Sequence, residues 1–305
     1  MIVVDNADFR VERRPVPARH QLSLLPRIYV ERGTKADWDL LHELHYKATN
    51  LGIGERYFRC VLDGETIGVG VMTVPKMLLS GRNEAMKHMR PNQSGRDTRL
   101  MNTHRAKWLN ATSCTNSRVV LDTMFRGAGI AYRMQNLMMR MSGCRQIEFQ
   151  SSMSKFNPFA AKAGIKFTRP KRSANYEKGL ALFRRWFEAM PSDYTAIMAE
   201  LDAMPEAVRE KCIAELRKSY YSWSSMEKSG DNRMNGTKRV DGMAVGYLVK
   251  SIQQLTLASP LYGLYVNPDY DVAKRAATDL PARIPLLAFD NQPTDQPLRL
   301  DLLNA

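Results

Sequence analysis

Two clusters of residues combine chemistry-bearing types with informative spacing. The first is Arg126-Gly127-Ala128-Gly129-Ile130-Ala131. It follows a β-branched run, Arg118-Val119-Val120-Leu121, and leads into Ala131–Met141, a stretch without Pro or Gly. That order predicts a strand, a tight loop and a helix. Such a loop turns successive backbone N–H groups inward at a helix N-terminus, a geometry that holds phosphate or pyrophosphate. Turn chemistry alone accounts for two glycines more often than a ligand does. The dinucleotide fingerprint is not met, because its third glycine and its downstream acid are missing. The second cluster is His42-Glu43-Leu44-His45-Tyr46. Histidines three apart share a helix face. Without a third ligand the pattern fits a core or surface helix as well as a metal.

Charge adds a third feature. The 305-residue chain carries a formal net charge of +14, which favours polyanionic partners. Between Gly81 and Arg118 eight Lys/Arg face two acids, Glu84 and Asp97. Arg82, Lys87, Arg90, Arg96, Arg99, Arg105 and Lys107 are therefore candidate phosphate contacts on DNA, with a plain soluble basic surface as the alternative. Hydrophobic content of 44% is ordinary for a globular protein. No run approaches a membrane span, and the N-terminal residues lack the pattern of a signal peptide. Four cysteines, Cys60, Cys114, Cys144 and Cys212, lie far apart with no CxxC pair. They predict neither a disulfide framework nor a structural zinc site, and a cytoplasmic, reducing compartment.

The elements that must position these clusters read as follows. Residues 1–25 form a polar arm. Arg27–Glu31 is a first strand, and Thr34 caps a helix from about Lys35 to Lys47. Tyr57–Leu62 and Thr66–Val74 flank Asp63-Gly64, a strong hairpin turn. Residues 76–116 read as a basic, Asn/Ser-rich insertion with a helix near Asn83–Arg90. After the strand–loop–helix unit come a strand at Gln146–Gln150, a short helix at Phe159–Ala163 and a strand at Ile165–Phe167. Tyr176–Met190, Ser192–Ala203 and Glu206–Ser219 are helical in pattern, separated by Pro191 and Pro205. Ser222–Asp241 reads as a linker, Met243–Leu257 as another element, and the tail from Ala276 as extended.

The Arg-x-x-Gly-x-Ala pattern after a Val-rich strand resembles the acyl-CoA pyrophosphate loop of the GNAT acyltransferase superfamily. His45-Tyr46, Leu109-Asn110…Ser117-Arg118-Val119-Val120 and Lys155-Phe156-Asn157-Pro158-Phe159…Ala163-Gly164 also resemble its Mom-like branch of phage DNA-modification proteins and archaeal GNAT-like proteins. The likeness covers about residues 27–190. It implies an α/β fold with a GNAT-like mixed central sheet flanked by helices. The expected organisation is a GNAT-like domain over 26–175, a mainly helical extension over 176–220, and a linker with a partly extended region over 221–305.

The resemblance further implies acetyl-CoA or a related acyl donor held by Val119, Val120, Leu121, Arg126, Gly127, Ala128, Gly129, Ile130, Ala131 and Asn157. It makes His45 a candidate base or iron ligand and Tyr46 a candidate acid. Asp122 is a candidate catalytic group at the end of the strand, or a turn cap. The implied activity is conversion of adenine in DNA to its N6-carbamoylmethyl form, protecting phage DNA from restriction in the host cytoplasm. Base flipping would need stacking platforms, for which Trp108, Tyr57 and Phe58 are candidates, although each is more often core. Where many GNAT enzymes carry a Tyr that protonates the leaving thiolate, this chain has Phe156 and Phe159. Asn157 fits an amide contact or an Asx-turn equally well, and Ser151, Ser152 and Ser154 fit substrate contacts or plain loop. A conventional acyl-CoA N-acyltransferase on a small amine, protein or tRNA, and a non-catalytic nucleic-acid-binding protein, remain the alternatives.

Overall fold

A computed structural model describes residues 23–45, 51–77, 79–86, 98–151, 153–155, 157–169, 173–228, 230–257, 260–274 and 276–302. The chain forms two compact units. One joins residues up to Thr168 with those from Leu261 onward, and the other is Arg169–Pro260.

The first unit begins with β1 (Ile28–Arg32) and α1 (Lys35–Leu41). Thr34 and Asp37 form a capping box at the start of α1. The helix ends sooner than its pattern predicts, tightening into a 3-10 turn at His42–Leu44. β2 (Arg56–Leu62) and β3 (Glu65–Thr73) then form the expected hairpin. Both Asp63 (φ 51°) and Gly64 (φ 92°) take positive φ at its turn, as a tight two-residue hairpin requires.

The basic insertion is more ordered than its composition predicts. It holds α2 (Ser80–Ala85) and α3 (Thr98–Thr112), and α3 runs straight into β4 (Ser113–Leu121). Its Asn, Ser and Thr residues read as loop, but burial of Leu109 and packing of Trp108 against Met86 anchor the segment. α4 (Ile130–Met141), β5 (Gln146–Ser151), α5 (Phe159–Lys162) and β6 (Lys166–Phe167) follow in the predicted order.

The tail was expected to be a linker with an extended end. Its first part instead returns to the sheet as β7 (Leu261–Val266). A small β8 (Tyr270–Asp271) and β9 (Ala276–Ala277) ribbon follows, then β10 (Arg283–Pro285). Among the described residues, eight strands form one mixed sheet in the order β10-β1-β2-β3-β4-β5-β7-β6. Only β4–β5 is parallel among its neighbours. This corrects the expected 26–175 and 221–305 boundaries. β7 lies between β5 and β6, so the sheet is incomplete without residues far downstream.

Helices cover both faces. On one, Met134 and Met138 of α4 sit over Gly68 and Gly70 of β3. A Cβ on Gly70 would lie 2.1 Å from the Met138 sulfur, so glycine is what lets the helix approach. On the other, Trp38 and Leu41 of α1 pack against Val69, Val71 and Val120.

The second unit is helical: α6 (Tyr176–Trp186), α7 (Tyr194–Ala203), α8 (Glu206–Trp223), α9 (Gly230–Met234), α10 (Lys238–Asp241) and α11 (Val245–Thr256). Asp193 caps α7 by accepting the Ala196 N–H at 3.0 Å. Leu182, Phe183, Ile197, Leu201, Cys212, Leu216, Leu248 and Ile252 form its core. The predicted linker at 222–241 carries α9 and α10, and its Glu227 is fully buried and paired with Arg239.

Candidate donor site between the diverging strands

β4 and β5 pair only from Ser113↔Gln146 to Asn116↔Phe149. Beyond that point β4 stays with β3 as far as Leu121, while β5 stays with β7 as far as Ser151. The break begins at a β-bulge. Val71 pairs with Arg118 and Met72 with Asn116, leaving Ser117 as the extra residue. A bulge bends and twists its strand, which turns the second half of β4 away from β5.

The gap is a cavity of about 440 Å³. Ser117–Leu121 line it from β4, Phe149–Ser151 from β5, and Arg126, Gly127 and Gly129 from the loop. Ile130–Tyr132 of α4, Met153, Asn157–Phe159, Lys162, Leu44 and His45 complete it. Since α1 and α4 cover opposite faces of the sheet, His45 and the glycine loop reach the same cavity from opposite sides.

The loop has the conformation its composition predicts. Gly127 (φ +85°) and Gly129 (φ +79°) are left-handed, and Gly129 caps α4. N–H groups in the first turn of a helix lack partners within the helix and carry partial positive charge. Cations reinforce them. Arg118, Arg126 and Lys162 line the cavity, and no carboxylate does so among the described residues.

The loop is held from behind. Arg126 Nε donates to the Leu121 carbonyl at 3.1 Å. Arg133 Nη1 donates to the Gly129 carbonyl at 2.9 Å, and its Nε to Asp290 Oδ2 at 2.8 Å. The Tyr132 ring lies under Lys162 Nζ at 5.0 Å and meets Phe289 edge-on at 5.3 Å.

Of the predicted donor residues, Val119, Val120, Leu121, Arg126, Gly127, Gly129, Ile130, Ala131 and Asn157 line this cavity, whereas Ala128 does not. Asn157 Oδ1 also accepts the Phe159 N–H at 3.1 Å, the Asx-turn geometry. Of its two readings, Asp122 takes the turn cap. It does not line the cavity, and its carboxylate accepts the Met124 N–H at 2.9 Å as a turn cap. His45 ends the 3-10 turn, its amide bonded to the His42 carbonyl at 3.0 Å. His42 Nδ1 lies 2.9 Å from the Asp39 carbonyl and does not line the cavity. Among the described residues no three His, Cys, Asp or Glu side chains gather to hold a metal. Tyr46, Ser152 and Phe156 lie outside the described residues.

The expected DNA contacts divide. Arg82 is corrected: it is 1% exposed and forms a two-pronged pair with Glu148, at 2.6 and 2.7 Å. A guanidinium spent on a buried carboxylate is not available to a phosphate. Arg105 is also buried, and desolvation lowers its pKa. Lys107 is exposed on α3, and Arg99 lies on the same helix. Lys87, Arg90 and Arg96 lie outside the described residues. The stacking candidates take their core reading, Phe58 fully and Tyr57 and Trp108 in part. Phe58 is fully buried, Tyr57 packs on the Trp38 cluster, and Trp108 packs on Met86 and Leu109.

Sequence reasoning missed Arg118, Tyr132, Gln150 and Lys162 as cavity residues. Tyr132 directly follows the Arg-x-x-Gly-x-Ala pattern and was within reach of it. Lys162 reaches the cavity only through the placing of α5.

No family model matches the chain, and no curated protein does. Among solved structures, an agmatine N-acetyltransferase variant in its apo form matches at 12% identity and a TM-score of 0.24. The match covers 38% of this chain and 60% of that one, so the chain spans less than two thirds of its length.

Proposed function

We propose that the protein is a GNAT-type group transferase that holds a phosphorylated acyl donor, such as acetyl-CoA, between β4 and β5. One observation carries this reading: the left-handed Gly127/Gly129 loop and the start of α4 open into a cavity lined by cations and, among the described residues, by no carboxylate. A pyrophosphate would accept hydrogen bonds from the first turn of α4, with Arg126 and Lys162 balancing its charge. The β4 edge freed beyond Asn116 offers backbone groups that an extended amide-bearing arm can pair with. The bound donor supplies an activated acyl carbonyl. His45, which lines the cavity from the opposite face, would accept a proton from an attacking amine. Phe159 has no proton to give a leaving thiolate.

Within that class, we favour DNA adenine as acceptor, modified as in the Mom-like branch. His45 at the cavity and the net charge of +14 support this second step.

Calorimetric titration with CoA and acetyl-CoA tests the donor reading. Saturable binding is expected, and no heat at millimolar ligand would overturn it. Nucleoside mass spectrometry of DNA from expressing cells tests the acceptor. A mass increment on deoxyadenosine is expected: direct attack on the donor's acyl carbonyl adds an acyl group, whereas a carbamoylmethyl group, joined through a methylene, would require a nitrogen source beyond the acyl donor. Wholly unmodified deoxyadenosine beside a CoA-binding protein would leave a conventional N-acyltransferase.

A further inference from the structure

We propose that Cys144 is a nucleophilic thiolate that captures a peroxide and passes the oxidation to Cys114 as a reversible intrachain disulfide. This is independent of the donor cavity. The turn between α4 and β5 carries Cys144, half-buried, just after Gly143. Arg56 Nη2, from β2, donates to its sulfur at 3.3 Å, and Arg56 Nη1 donates to the Ser142 carbonyl at 2.7 Å. Arg32, from β1, donates to the Met141 carbonyl at 2.7 Å. Among the described residues neither guanidinium pairs with a carboxylate; their partners are the end of α4 and the Cys144 sulfur. The C-terminal end of α4 draws in the two cations, and the one that touches the thiol, Arg56, favours its anionic form.

The second sulfur is adjacent. Cys114 on β4 pairs through its backbone with Ile147, three residues past Cys144, which brings the two thiols close enough to couple electrostatically. The neighbouring Cys114 thiol, then Arg56, holds the Cys144 thiol down at about 6. The nearby Cys144 thiol, together with burial, pushes Cys114 up. The proton of the pair therefore stays on Cys114. Cys60 and Cys212 are pushed up to about 12, chiefly by burial, and serve as internal controls.

The chemistry balances with hydrogen peroxide as the oxidant. The Cys144 sulfur attacks one peroxide oxygen, the O–O bond breaks, and the released hydroxide takes a proton to leave as water. Cys144 is then a sulfenic acid. The Cys114 sulfur attacks it, the S–O bond breaks, and a second water leaves with the Cys114 proton.

The test treats the full chain with a few equivalents of hydrogen peroxide at pH 7, then denatures it and alkylates free thiols with N-ethylmaleimide. Loss of two of the four alkylatable thiols is expected, with a Cys114–Cys144 cross-linked peptide that dithiothreitol reverses. Cys114→Ser should stop at a sulfenic acid on Cys144, trapped by dimedone. Arg56→Gln, with its circular dichroism checked, should slow Cys144 alkylation at pH 7 by about tenfold. The wild-type alkylation rate at Cys144 should rise through pH 6 and level off by pH 7.5. Four free thiols after peroxide, a cross-link through Cys60 or Cys212, or a rate still climbing at pH 8.5 would each overturn the proposal.

Discussion

At Thr115 and Asn116 β4 is hydrogen-bonded on both sides, to β3 and to β5; from Arg118 to Leu121 it keeps β3 alone. The bulge at Ser117 separates the two regimes. On the paired side the central acid is buried and charge-compensated. Glu148, opposite Thr115, holds Arg82 and accepts the Tyr262 hydroxyl at 2.6 Å. On the diverging side, backbone groups, left-handed glycines and unpaired helix N–H groups face a cavity. A strand that gives up one partner trades local stability for a place to bind. At the junction both amide atoms of buried Asn116 lack a hydrogen-bond partner among the described residues.

If the paired end serves stability and the open end serves binding, substitutions should separate accordingly. Arg82→Met should have the largest effect on folding. It leaves Glu148 buried without its cation, a loss of about 3–5 kcal/mol in urea unfolding. A change below 1 kcal/mol would mean the paired end is less committed than its burial implies. Gly129→Val should act on both properties. Its φ of +79° strains any β-branched residue, and a Cβ would lie 2.7 Å from Arg133 Nη1. About 1–2 kcal/mol of stability and at least about tenfold in CoA affinity should be lost. Unchanged affinity would detach the loop from donor binding. His45→Ala should shift unfolding least, by under about 1 kcal/mol, while lowering turnover about 10²–10⁴-fold if His45 moves the proton. A stability loss as large as that of Arg82→Met would place His45 with the structural residues instead.

Much of the candidate site was legible in the sequence because its signals are local. A Val-rich strand, a loop needing positive φ and an uninterrupted helix lie within about twenty residues, and no distant partner is needed to recognise them. The hairpin at Asp63-Gly64 and the caps at Thr34 and Asp193 were legible for the same reason. The basic insertion was misread because composition reports charge but not burial. Arg82 and Lys107 look alike in sequence, yet one pairs with Glu148 in the core and the other faces solvent. Asp122 was ambiguous because a strand-end carboxylate can cap a turn or meet a substrate with the same neighbours.

By itself the sequence determined the elements that short-range sterics dictate, namely the turn types, the helix starts and the glycine loop before α4. Only the tertiary structure decided what those elements enclose. β7 enters the sheet between β5 and β6 from more than ninety residues downstream of β6, and β10 closes the opposite edge. The parallel β4–β5 pairing sets Cys114 beside Cys144, two cysteines whose spacing shows no motif. Such pairings depend on which apolar faces can be buried together across the whole chain, and that quantity has no local signature.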